Sequence, residues 1–166
     1  MVFWVPILAW LAALVAAGVV VWRGPRPVRP GGIIEALLRA ILLFPVGLMG
    51  LWAFMGHVFV PEQAAASIGW APSPFQFEVG MANLGIGLAG LIGAFVGSPG
   101  FRAAVAVVMA GFLGGAGVGH ILQILHTGNL AAGNAGPILY TDFLGPLALF
   151  ALLLLQRVSR GRPPAV

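Results

Sequence analysis

Five stretches of roughly twenty or more apolar residues follow one another along the chain, at about 2–22, 33–60, 75–97, 102–125 and 137–156. Each is long enough to cross the ~30 Å hydrocarbon core of a bilayer as a helix. Backbone N–H and C=O groups find no water there, so a spanning segment of this length must satisfy them internally, which selects helix. Composition excludes the soluble alternative. Of 166 residues, 60% are hydrophobic and 7% charged, whereas a soluble domain is roughly one quarter charged, and a chain this short cannot enclose so much apolar surface in one core. The sequence therefore predicts an all-α, polytopic transmembrane helical bundle of about five spans, a single membrane domain over 1–166 with the lipid bilayer as its solvent. Pro45, inside the second run, predicts a kink.

The charges predict an orientation. All eight basic residues are arginine, and they fall at 23, 26 and 29, at 39, at 102, and at 157, 160 and 162. With the N-terminus outside, five spans make the 23–32 loop, the link before Arg102 and the 157–166 tail cytoplasmic, so every arginine lies in or beside a cytoplasmic segment, as the positive-inside rule requires. Because the arginines sit at segment ends and form no solvated stripe with interleaved aromatics, no nucleic-acid partner is expected. The first run has its positive charge after it, the reverse of a cleavable signal peptide, and reads as a retained anchor. With no cysteine, any metal chemistry falls to histidine and carboxylate.

Ionisable groups inside spans mark where function resides. His57 lies near the outer end of the second run, Glu78 about one turn into the third, His120 near the outer end of the fourth and Asp142 in the outer part of the fifth. Counting the helical rise from the cytoplasmic markers puts them roughly 22 to 30 Å up, one from each of four helices. Small residues share their stripes: Ala53 and Gly50 with His57, Ala82 and Gly85 with Glu78, Gly145 with Asp142, and the row Gly111, Gly115, Gly119 immediately before His120. Such rows permit close helix contact, so the four-residue layer is expected to point into the bundle.

Three readings of that layer follow. The residues pair with one another to fix helix register; they hold a metal such as Zn, Fe or Cu, for which imidazole and carboxylate are suitable ligands; or they form a proton or ion path. Asn83, Gln123, Tyr140 and Thr141 lie within one or two turns as supporting residues. His126, Asn129 and Asn134 read as a solvated loop able to cap the site from outside. Glu35 and Arg39 read as an ordinary i,i+4 surface pair, and Ser73 as an N-cap for the third span. No phosphate-binding loop, nucleophile elbow or metalloprotease spacing is present, so no reaction is identified.

The stretch from Gly56 to Gly90, with His57, Ile68-Gly69-Trp70, Ser73-Pro74-Phe75-Gln76, Glu78-Val79-Gly80 and Asn83, resembles an uncharacterised bacterial family of small multi-pass membrane proteins. That resemblance implies architecture and location, an integral protein of the bacterial cytoplasmic (inner) membrane, and no activity. The functional expectations are accordingly a cofactor-holding membrane protein, a small proton- or ion-coupled transporter subunit, or an accessory subunit with a membrane-complex partner; the glycine rows suit a homo-oligomer as well as packing within one chain.

Overall fold

The computed structural model of the protein describes residues 2–160; the distal part of the expected tail, with Arg162, lies outside the described residues. Every regular element among them is helical: α1 (Trp4–Arg23), α2 (Pro30–Phe59), α3 (Pro61–Ile68), α4 (Phe75–Phe95), α5 (Pro99–Thr127), α6 (Ala132–Ala135) and α7 (Pro137–Arg160). Five of these, α1, α2, α4, α5 and α7, are long and apolar enough to cross a membrane.

The boundaries follow local chemistry. Pro30, Pro61, Pro99 and Pro137 each open a helix, where a missing N–H costs nothing and the fixed φ favours the first turn. Ser98 caps α5, its Oγ accepting from the N–H of Phe101 at 3.3 Å. Before α4, by contrast, the N-cap is Pro74 and no side chain caps the helix, so Ser73 does not serve as expected.

Two segments expected to be loops contain helix. Pro61 and the alanine run 64–66 form α3, which stops at Gly69 in the left-handed region (φ 79°), and α5 continues past 125 to Gly128 (φ 68°). His126 is consequently an exposed residue in the last turn of α5 and not a loop residue.

Packing of the long helices depends on small residues. α1 meets α2 through Ala13 and Ala17 against Ala36 and Ala40. α2 and α4 approach until backbones touch: a Cβ on Gly50 would lie 2.7 Å from Gly87 Cα, and one on Gly90 would lie 2.7 Å from Gly47 N. Leu38, Leu42, Val46, Ile86, Met109 and Leu149 fill the interior between α2, α4, α5 and α7.

At Pro45, where the sequence predicts a kink, α2 widens into a π-helical segment over Leu42–Leu48, and α5 does the same over Ala110–Gly114. A wider turn absorbs the hydrogen bond that Pro45 cannot donate, and single π-turns of this kind recur at functional sites.

Candidate functional site

Two polar constellations lie at opposite ends of the bundle. At the end where α2 and α5 begin, Arg102 is 0% exposed. Its Nη1 and Nη2 donate to Glu35 Oε2 and Oε1 at 2.8 and 2.9 Å, and its Nε donates to the carbonyl of Gly93 at 2.9 Å. Arg39 Nε also donates to Glu35 Oε1 (2.7 Å), and Gln156 Nε2 donates to Oε2 (2.9 Å). One carboxylate thus gathers donors from α2, α5 and α7, while Arg102 reaches on to α4. The Glu35–Arg39 pair is therefore part of a four-helix knot, a role that the i,i+4 reading missed. Arg102, at the very start of the fourth run, carried no sequence signal that set it apart from the other end-of-helix arginines.

At the other end stand His120 and Asp142. His120 Nδ1 lies 2.8 Å from Asn134 Oδ1, while Asn134 Nδ2 donates to the carbonyls of Asn129 (2.8 Å) and His120 (3.4 Å). Since the amide NH2 is committed to two carbonyls, its oxygen must face the ring. Nδ1 is then the donor, and the neutral imidazole carries its lone pair on Nε2. Nε2 lies 3.7 Å from Asp142 Oδ2. Asp142 is 3% exposed, and this nitrogen is the one basic side-chain atom within 4 Å of its carboxylate among the described residues.

A cap of loop and short helix holds this arrangement. The rings of Trp70 and His120 are 6.1 Å apart and tilted by 34°. Asn129 Nδ2 donates to the carbonyl of Ile68 (2.9 Å), and a Cβ on Gly133 would sit 2.7 Å from the carbonyl oxygen of Ser67. α3 and α6 therefore close together over the His120 end of α5, with Asn134 buried and Gly69 supplying the left-handed turn that brings Trp70 across.

Beneath the pair lies a partly open cavity of about 60 Å³, with walls from all five long helices. That volume holds a few water-sized molecules. Pro45 and Val46 come from the first π segment, Leu113 from the second, and Asn83 and Thr141 add polar atoms; Asp142 is its one ionisable lining residue. Asn83 and Thr141 donate to carbonyls of their own helices, Val79 (2.9 Å) and Ile138 (3.0 Å).

The expected four-residue layer does not assemble. His120 and Asp142 meet. His57 makes a separate, half-buried pair, its Nδ1 hydrogen-bonded to the buried Gln76 Oε1. Glu78 is exposed, because the row Glu78, Ala82, Gly85 turns away from the interior while Gln76, Gly80, Asn83, Gly87 and Gly90 turn inward. The Gly111, Gly115, Gly119 row likewise faces open space; in α5 it is Gly117, against the ring of Phe143, that lies inside. Among the described residues no three His, Asp, Glu or Cys side chains come close enough to share a metal. Tyr140 is 69% exposed, and Gln123 is tied to Thr127 through its carbonyl (2.7 Å), so neither supports the pair. Gln76 and Asn134 are the residues that orient the two histidines.

Fold and site thus define a helical bundle with five helices long and apolar enough to cross a membrane and a buried histidine–carboxylate pair over a small central cavity. Residues 3–162 match the model of DUF6790, a family of unknown function, and the chain belongs to that family. No curated protein and no solved structure matches it.

Proposed function

We infer that the protein is an integral membrane protein whose Asp142–His120 pair takes up and releases a proton at the central cavity, within a small proton- or ion-coupled transporter. The observation that carries this is the contrast between two buried charges. Arg102 is neutralised in bidentate fashion by Glu35, which makes it a structural cross-link. Asp142 faces a cavity and a single imidazole nitrogen at 3.7 Å. Because Asn134 fixes the proton on Nδ1, Nε2 is left free to take a further proton from Oδ2 across 3.7 Å, and Asp142, which lines the cavity, can exchange one with a cavity water. Intramembrane carboxylates in this setting are the usual elements of proton relays.

The arginine distribution supports an orientation with the N-terminus outside and the Glu35–Arg102 knot on the cytoplasmic side. The His120 cap then lies toward the outer face, and a bacterial cytoplasmic membrane, which maintains a proton gradient, is the setting that suits the reading. Zinc, iron or copper fits less well: His120 and Asp142 supply two donors, fewer than the three protein ligands of an open catalytic zinc site.

A second reading, favoured by the His120–Asp142 contact itself, is that the pair only holds α5 against α7. Infrared difference spectroscopy across a pH titration separates the two. The proton-exchange reading predicts a protonated-carboxyl band that comes and goes with pH, vanishes in Asp142→Asn and moves when His120 is replaced. An Asp142 signal that stays constant over the whole pH range in which the protein remains folded leaves the pairing role alone.

A further inference from the structure

A groove of about 430 Å³ runs along the side of the bundle between the first half of α1 and the start of α7, from Phe3 and Pro137 down to Leu14 and Leu144. Its walls are apolar, and in a protein bathed in lipid it opens toward hydrocarbon. Trp10 and Thr141 line both this groove and the central cavity. These two side chains form the partition between the lipid phase and Asp142. α1, which contributes one wall, is the least buried of the long helices.

We propose that the groove and cavity together form one binding site for a single-chain amphiphile with a small cationic head, the alkyl chain lying between α1 and α7 and an ammonium group passing Trp10 and Thr141 to meet the Asp142 carboxylate. This rests on the reading of Asp142 as the ionisable wall of the cavity and gives that site a substrate class. Complementarity of charge and size selects the head. The cavity presents one carboxylate among nonpolar walls and polar groups already bonded to their own helices, and about 60 Å³ admits an ammonium but no sugar or phosphate. Once the pair has released its proton, a carboxylate head would meet like charge, and a hydroxyl would leave out the ion pair. Burying the chain in the groove replaces lipid contacts with protein contacts at little cost, so selectivity resides in the head.

Full-length protein in nanodiscs, titrated with dodecylamine, 1-dodecanol and dodecanoate, tests this through thermal unfolding. The amine is expected to raise Tm saturably, and the alcohol and carboxylate are not. Asp142→Asn should weaken amine binding about ten- to a hundredfold, the loss of one charge-assisted contact. Leu144→Trp, which fills the groove and leaves Asp142 intact, should abolish the amine effect while the protein stays folded. Equal responses to all three probes, or an amine response retained in Leu144→Trp, would overturn the proposal. Proton exchange at Asp142 that persists in the infrared experiment while amine binding fails removes the amphiphile and leaves the functional reading standing.

Discussion

Arg102 and Glu35, 67 residues apart in sequence, close a bidentate ion pair in which the guanidinium is wholly buried and the carboxylate takes further hydrogen bonds from Arg39 and Gln156. The knot ties the α2, α5 and α7 side chains together at the end of the bundle opposite the cavity, and Arg102 adds α4 through the Gly93 carbonyl.

Breaking one partner of such a pair strands a buried charge. Glu35→Ala is therefore expected to destabilise the bundle by about 3–5 kcal/mol, because Arg102 is left uncompensated, and Glu35→Gln/Arg102→Met together should recover part of that loss. Unfolding in a mild detergent, followed by helix signal, measures both. A double variant no better than the single would show that the knot does not act as a pair.

Glycines on different faces should respond oppositely. Gly50→Ala forces a Cβ within 2.7 Å of the Gly87 backbone, where no side chain can rotate away, and an overpacking cost of about 1–3 kcal/mol follows. Gly115→Ala meets open space and should stay within about 0.5 kcal/mol or gain slightly from helix propensity. The same unfolding assay compares them, and equal losses would contradict the assigned faces of α2, α4 and α5.

Asn134→Leu removes the acceptor for the His120 Nδ1–H inside the cap. A stability loss of about 1–3 kcal/mol is expected for the orphaned donor, together with a mixed tautomer visible in the nitrogen chemical shifts of His120. A ring that keeps its proton on Nδ1 in the variant would show that Asn134 does not set the tautomer.

The fold was legible in the sequence because apolar runs of bilayer length admit one kind of secondary structure. The meeting of His120 with Asp142 was legible too, since the constant helical rise puts both at a similar distance from the arginine-bearing end of their helices. Facing was not. α4 carries small residues on both sides, Gly80, Gly87 and Gly90 inward and Ala82 and Gly85 outward, so a small-residue stripe beside Glu78 pointed equally well to a wrong face. In α5 the row Gly111, Gly115, Gly119 outnumbers the inward Gly117 and misleads in the same way. The partners were hidden for another reason: Asn134 stands in what reads as a polar loop, Gln76 in a first helical turn, and Arg102 at an interface where arginine is ordinary. Only the folding of α3 and α6 over the bundle, and the meeting of α2 with α4 and with α5, give these side chains their roles.

Proton movement through reconstituted protein tests the central claim most directly. Liposomes containing the protein and an internal pH indicator are given an inward proton gradient, with potassium and valinomycin to collapse the opposing potential. The wild type is expected to dissipate the gradient faster than empty liposomes; Asp142→Asn should fall to the empty-liposome rate and His120→Ala close to it, while the exposed Glu78→Gln keeps the wild-type rate. An Asp142→Asn protein that dissipates the gradient faster than empty liposomes and as fast as the wild type would contradict the assignment of the buried pair as a proton-exchanging centre.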